Sequence, residues 1–322
     1  MTRRAAPAAR DVAADGRPPG VAILLGTCQG ERFLARQLDS IAAQTHGHWR
    51  VWASDDHSTD GTLGILDDYR QRWGDGKLNV RRGPGKGFCA NFLTLACDPS
   101  IQADYYAFAD HDDIWDDDKL AVALDWLTGI PHNVPALYCA RTRLIDEDGQ
   151  PMGFSPLFAR PLSFRNALVQ SVAGGNTMVF NQSARNLLAE AGVVDVQTHD
   201  WWLYLIVTAC GGRTFYDPVP KVGYRQHPNN LVGSNADWPA RLSRARRLLA
   251  GRFTGMNDRN IVALKRLQHH MSAENKSILT HFVHARKASL APRVRGIRHS
   301  GVYHHTRLGN LGLVVATLFK KL

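Results

Sequence analysis

Three carboxylates fall within four residues in the run Phe108-Ala-Asp-His-Asp-Asp-Ile-Trp115, directly after the apolar stretch 105–109. On an open surface, Asp110, Asp112 and Asp113 would simply be solvated. At the end of a buried strand, between Phe108 and Trp115, their repulsion would raise at least one pKa unless a cation intervened. A divalent metal is the economical cation. Hard oxygen ligands suit Mg²⁺ or Mn²⁺, and Mg²⁺ is characteristically held by one or two carboxylates together with substrate phosphates. The D-x-D spacing equally suits helix capping, so the residues alone leave both readings open.

Three further constellations carry chemistry. Ser54-Asp-Asp-His-Ser-Thr-Asp-Gly-Thr62 is a good turn into a helix, which Ser58 or Asp60 can cap. Capping does not require Asp55 and Asp56, which sit at a strand end where an acceptor carboxylate can bind the N–H of a pyrimidine base. Thr198-His-Asp-Trp-Trp202 sets one carboxylate beside two aromatics at the head of a helix. Asp200 there suits a general base, and Trp201 and Trp202 suit stacking on an acceptor sugar. The alternative is a capping Asp200 with both tryptophans in the core. In Tyr224-Arg-Gln-His-Pro-Asn-Asn-Leu-Val-Gly233, Arg225 can neutralise phosphate, and His227 can ligate a metal or serve as a structural hydrogen bonder.

The elements that must position these residues follow from periodicity. Residues 21–25 form a continuous apolar run, the mark of a strand buried on both faces. Residues 31–44 show a helical apolar stripe, and 49–53 resume as a strand. A helix over 62–73, a strand over 78–81, a Gly-rich loop over 83–87, a helix over 88–96 and a strand over 105–109 continue the alternation. This predicts an α/β fold with a mostly parallel sheet and ligands at the strand ends. Beyond it, the pattern predicts a helix over 117–127, a strand over 136–143, a Pro-rich loop over 151–161, a strand over 177–181 and a helix over 201–210. Basic amphipathic helices are expected over 241–250, 260–270 and 277–290. The domain reading is a disordered leader over 1–19, a catalytic domain over 20–236 and a basic helical region over 237–322. Within the catalytic domain, 20–115 is the donor half and 116–236 the acceptor half.

With 44% apolar and 21% charged residues, composition fits an ordinary globular protein and does not identify a function. The location of the charge is more informative. Residues 238–322 carry 17 Lys and Arg against Asp258 and Glu274, a local charge of +15, so the rest of the chain sums to −5. An anionic partner for this tail is implied, nucleic acid or an anionic membrane surface, unless the tail is a solvated basic bundle. Few aromatics are interleaved with its basic residues, which disfavours the nucleic-acid reading. The apolar run 308–319 is too short to span a bilayer. Leu308, Leu311, Val315 and Leu318 recur at helical spacing with Lys320 and Lys321 behind them, which suits a helix lying on a membrane or one packed on the catalytic domain. Five scattered cysteines without C-x-x-C spacing read as reduced cytosolic thiols. The expected location is the cytoplasm, with the inner face of the plasma membrane as the tail's docking place.

From Val21 to Gly233 the sequence resembles the family-2 glycosyltransferases, enzymes of the GT-A fold. Gly26-Thr-Cys-Gln-Gly-Glu31 looks like the family's opening nucleotide-binding loop, with Thr27 and Glu31 on the donor side. Asp55 to Thr62 looks like its base-binding motif, Gly87 to Asn91 like its third donor segment, and Asp110 to Asp113 like its metal motif. The resemblance implies Asp56 on the base, Asp110 on the ribose, Asp112 on the metal bridging the diphosphate, and Asp200 as the base of an inverting transfer. Asp113 receives no role. Two departures are Cys28-Gln29, where the family usually has Tyr-Asn, and His57, where it often has Gly; His199 likewise stands where Glu is common. H-D-W-W followed by Y-R-Q-H-x-x-N-x-x-G is similar to rhamnosyltransferases that build bacterial surface polysaccharide from dTDP-rhamnose. A saccharide or lipid-linked acceptor is then expected, with a UDP-sugar as the alternative donor. A nucleotidyltransferase would need a G-x-G phosphate loop after the first strand, which Gly26 to Gly30 does not supply.

Overall fold

The computed structural model describes residues 17–227 and 252–322. Most of the expected leader, the expected boundary at 236/237 and the helix expected over 241–250 lie outside the described residues.

Strand β1 (Val21–Thr27) is buried at every position. It pairs in parallel with β2 (Trp49–Asp55) on one side and β4 (Tyr105–Asp110) on the other. Side chains alternate across a strand. Val21, Ile23 and Leu25 accordingly join one core, with Leu34 and Ile41 of α1 (Leu34–Ala42) and Leu66 of α2 (Thr62–Trp73). Ala22 and Leu24 join the other, with Phe92 of α3 (Phe88–Cys97). Beyond β2 lies β3 (Leu78–Arg82). Thr27 is level with Asp55, and Gly26 with Asp110, so the acidic ends of β2 and β4 flank the end of β1.

The sheet has seven strands in the order β10-β6-β9-β4-β1-β2-β3, counting β6 (Ala136–Ala140), β9 (Val179–Asn181) and β10 (Arg213–Asp217). Strand β9 is antiparallel to both β4 and β6; the other pairings are parallel. A 3₁₀ turn (Gly175–Thr177) precedes β9, and α6 (Gln182–Ala191) and α7 (His199–Ala209) follow it. After β4 the chain forms β5 (Ile114–Trp115) and α4 (Lys119–Leu127).

The strand expected over 136–143 is divided. Strand β6 stays in the large sheet, whereas β7 (Arg143–Ile145) belongs to a second sheet, β5-β11-β7-β8, with β8 (Pro151–Phe154) and β11 (Val222–Arg225). The chain changes sheets at Arg141 and Thr142. Arg141 donates from its backbone to Asp217 O (2.9 Å) and from Nε to Ser155 O (2.6 Å), and Thr142 N donates to Ser155 Oγ (3.0 Å). The segment expected as a Pro-rich loop thus contains β8, an edge strand whose proline is its first residue, where no ladder donor is lost. Short helix α5 (Phe164–Ala167) follows it.

Toward the C-terminus lie α8 (Arg252–Leu264), a 3₁₀ turn (Lys265–His270), α9 (Ala273–Lys287), α10 (Leu290–Ser300) and α11 (Arg307–Leu318). The expected helix over 277–290 stops at Lys287, and a separate helix resumes at Leu290. These elements pack on the α/β body, for Leu264, Leu267 and Phe282 are fully buried in the core that contains Phe108 and Trp202. Asn275 Nδ2 reaches the terminal carbonyls of α7 at Thr208 (3.1 Å) and Ala209 (2.9 Å), satisfying acceptors that a helix end leaves open.

Candidate active site

At the end of β1, two loops are stitched together. Thr27 Oγ1 donates to Asp55 Oδ1 (2.8 Å), Gln29 N to Ser58 Oγ (2.9 Å), Glu31 N to Asp60 Oδ2 (3.0 Å) and Gly61 N back to Glu31 Oε2 (3.1 Å). Asp55 is buried and also accepts from Ser58 N (2.9 Å) and Ser58 Oγ (2.5 Å). Both departures from the family pattern fall at left-handed backbone positions, Gln29 at φ 52° and His57 at φ 67°. A glycine at position 57 would relieve that conformation; here the imidazole lies so close to Gly85 that a Cβ added there would stand 2.5 Å from its Cε1.

Asp56 is half-buried and organises the Gly-rich loop, accepting from Gly85 N (2.6 Å) and Gly87 N (2.9 Å). Asn91, expected to touch nucleotide, is buried and exchanges two bonds with Ser54: its Oδ1 accepts from Ser54 Oγ (2.5 Å) and its Nδ2 donates to Ser54 O (2.8 Å). The structure therefore makes Asn91, Asp55 and Thr27 buried, inward-facing ties that shape the loops at the strand ends rather than surfaces for a base to meet.

The acidic loop after β4 is held differently. Burial pushes the half-buried Asp110 carboxyl up to about 8, with Asp112 and then Asp200 adding to the rise and Lys119 opposing it. Asp112 Oδ2 lies 2.9 Å from His227 Nε2, so the two expected metal ligands are brought together. Asp113 is fully buried and accepts from Asn176 Nδ2 (2.5 Å) and Arg225 N (3.3 Å). Burial first, then Asp112 and Asp110, hold its carboxyl well above the usual range. Lys119, also fully buried, donates to Asn176 O (2.8 Å) and sits 3.1 Å from the centre of the Trp115 ring. Burial draws its ammonium well down, against the pull of Asp113 and Asp110. Asp113 and Lys119 thus grip the two ends of one residue, Asn176.

That grip extends to Asp200. The neighbouring Gly175 N–H donates to Asp200 Oδ2 (3.2 Å), and Trp201 N donates to Oδ1 (2.6 Å) at the head of α7. Gly175 admits no side chain, because an added Cβ would stand 2.3 Å from His199 Nε2. His199 itself is buried, stacked on Phe92 with centroids 4.1 Å apart, and burial pushes its imidazole down to about 4 while Asp200 pulls the other way. Neither of its ring nitrogens has a hydrogen-bond partner among the described residues.

Three expectations need correction. Trp201 and Trp202 are core residues with 4% and 0% exposure, and Trp201 Nε1 donates to Ala167 O (2.7 Å), so neither presents a face to an acceptor sugar. Arg225 is fully buried; its Nε donates to Asp112 O (2.8 Å) and its Nη1 to Asp146 O (3.1 Å) and Glu147 O (2.6 Å), which commits the guanidinium to fixing the acidic loop rather than to a phosphate. Asn176 and Lys119 escaped sequence reasoning altogether. The Gly174-Gly175 pair was the available signal, a marker of a special turn.

The site is therefore an acidic cluster at the strand ends, with the Asp200 carboxylate at a helix head near enough for its charge to act on Asp110. Residues 23–184 match the sequence model described as glycosyl transferase family 2. The chain belongs to this family. Among relatives of this glycosyltransferase, the dTDP-rhamnosyl transferase RfbG of Shigella flexneri is 30% identical over 231 residues, covering 68% of this chain and 77% of RfbG. The putative teichuronic acid biosynthesis glycosyltransferase TuaG of Bacillus subtilis is 25% identical over 222 residues, covering 69% and 84%. The structure of S. aureus TarS 1–349 in complex with UDP-GlcNAc superposes with a TM-score of 0.51 at 14% identity, covering 87% of this chain and 89% of that one, which establishes the GT-A fold. The protein is thus a family-2 glycosyltransferase, an enzyme that uses nucleotide-sugar donors.

Proposed function

We propose that this glycosyltransferase transfers rhamnose from dTDP-rhamnose to a hydroxyl of a saccharide or lipid-linked saccharide, with inversion at the anomeric carbon. Asp200 carries the reading. One short turn joins it to the acidic loop: Gly175 N–H donates to Asp200 and the adjacent Asn176 donates to Asp113, and the Asp200 charge adds to the rise of Asp110. Asp200 takes the acceptor proton as the acceptor oxygen bonds to the anomeric carbon and the bond from that carbon to the diphosphate oxygen breaks. Backbone N–H groups of Gly175 and Trp201 hold the carboxylate in place.

A divalent cation fits the acidic loop. Burial first, then Asp112 and Asp200, raise the cost of ionising Asp110, and the only ammonium among the causes of that shift is the buried Lys119. Asp112 and His227 would hold the cation in exchange for their mutual hydrogen bond; the carboxylate suits Mg²⁺ or Mn²⁺, and the imidazole nitrogen favours Mn²⁺ of the two. Bound there with the donor, it would supply charge stabilisation to the departing diphosphate. Asp110 would meet the ribose and Asp56 the base, beside the Gly85 to Gly87 turn that it shapes. Glu31, exposed and tied to Asp60 and Gly61, would line the donor loop.

Rhamnose is the sugar named for RfbG, and that relative supports this donor over a UDP-sugar. A donor screen reading nucleotide-diphosphate release, with and without Mn²⁺, tests the proposal. Release from dTDP-rhamnose that needs the metal supports it. Turnover of a UDP-sugar alone would remove the rhamnosyl assignment and leave the reaction class standing.

A further inference from the structure

The C-terminal helices bury one side and leave an apolar row on another. In α11, Ala316 and Thr317 are buried and Leu313 packs against the core. On the opposite side Leu308 (67% exposed), Leu311, Val314 and Leu318 follow at helical spacing, and Phe319 (63% exposed) continues the row. Helix α10 exposes Leu290 and Val294, one turn apart, and Arg293 ties it to α11 by donating to Thr317 O (3.1 Å). Scattered exposed apolar residues are ordinary, but a row in helical register along one side of α11, with a further exposed apolar pair on the helix tied to it, is not.

Cations border the row. Arg307 opens α11, Lys320 and Lys321 close it, and Arg295 and Arg298 lie on exposed positions of α10. Between Arg259 and Leu322 the only acidic residue is Glu274. A second copy of so cationic a surface would be repelled, and a nucleic acid would use the charges without the leucines. No helix among the described residues is long and apolar enough to cross a membrane. An α-helix rises 1.5 Å per residue, so a 12-residue helix is only about 18 Å long.

We propose that α10 and α11 dock the protein on an anionic lipid bilayer, with the apolar row at the acyl boundary and the flanking Arg and Lys at the headgroups. The helices lie in the interface and do not span it. Docking keeps the catalytic domain at the surface where a lipid-linked acceptor would be anchored. This last point rests on the proposed acceptor class; the docking itself does not.

Co-sedimentation of the full chain with vesicles of phosphatidylglycerol and phosphatidylcholine, against phosphatidylcholine alone, tests the proposal without any sugar transfer. Binding is expected to the anionic vesicles and to fall with salt. Two sets of exposed substitutions separate the contributions. Leu311→Gln with Leu318→Gln should weaken binding by about tenfold or more through lost apolar burial. Arg307→Gln with Lys320→Gln and Lys321→Gln should also weaken it by about tenfold or more, at low salt above all. Circular dichroism and donor turnover in detergent-free buffer should stay at wild-type values in both. Absence of vesicle binding, or binding that only the charge variant weakens, overturns the proposal. So does concentration-dependent self-association in sedimentation velocity that the leucine variant abolishes, since the row would then be a contact between copies. Failure of the donor screen with intact vesicle binding would refute the proposed reaction and leave the docking untouched.

Discussion

Strands β2 and β4 both end in acidic runs, one on each side of the end of β1, yet the two runs are held in opposite ways. After β2, the carboxylates are answered by donors: Asp55 by two hydroxyls and a backbone N–H, Asp56 by two backbone N–H groups. After β4, Asp110 and Asp113 are raised by burial and by neighbouring carboxylates, and the buried ammonium of Lys119 only partly opposes this for Asp110. Aspartate at a strand end is therefore two different devices. Surrounded by N–H groups it builds a loop; surrounded by other carboxylates it creates a demand for positive charge that a divalent cation can meet.

The comparison can be broken most decisively at Asp200. Asp200→Asn should lower transfer by about 10²–10⁴-fold while donor affinity, read by calorimetry, stays within about twofold. Wild-type turnover in this variant would place the base elsewhere. Next in size, Asp112→Asn or His227→Ala should lower turnover on the order of a hundredfold or more and remove its response to added Mn²⁺. An unchanged metal titration would mean that the β4 run is as self-sufficient as the β2 run.

On the satisfied side, Asp56→Ala takes their acceptor from the N–H groups of Gly85 and Gly87; both are exposed and water can replace it, so the cost is about 1 kcal/mol or less per bond. It should appear as a lower Tm and a higher KM for the donor at nearly unchanged kcat. Asn176→Ala should cost more, ~1–3 kcal/mol, by leaving the buried Asp113 short of a donor. Because Asn176 also fixes the turn that holds Asp200, kcat should fall more than the affinity for donor; equal losses would reduce Asn176 to a packing residue.

The smallest effect at neutral pH belongs to His199→Leu. The imidazole is lowered from 6.5 to about 4, so the fold disfavours its charged form. Its contribution is present above about pH 6.5 and is lost as pH falls toward 4. Between pH 7 and pH 4.5 the wild type should lose more Tm than His199→Leu. Parallel losses would show that His199 charges as readily in the fold as outside it.

Much of the fold was legible because its signals are local. The helix expected over 62–73 has those bounds in α2, where a turn rich in Asp, Ser and Gly leads into a helical stretch and Gly74 stops it at φ 81°. Strands β1, β2 and β4 appeared as apolar runs because both faces of the sheet are covered. Strands β10 and β11 escape the pattern: β10 alternates exposed and half-buried residues and carries Arg213, Thr214 and Asp217, and β11 is only four residues long, so neither presents a continuous apolar run. At the site, the acidic runs and Asp200 were readable from residue type and position. The burial of Trp201, Trp202, Asn91 and Arg225 was not, since a tryptophan for a sugar and one for a core look alike in sequence.

The sequence by itself determined that acidic runs would stand at the ends of buried parallel strands and that a basic helical region would follow, because periodicity, turn chemistry and charge act over a few residues. Tertiary structure alone decided the partners. Asp113 meets Asn176 because β9 inserts between β4 and β6, and Asp112 meets His227 because β11 returns beside β5. Those contacts join residues 63 and 115 positions apart, and only the order of strands in space can bring them within a hydrogen bond.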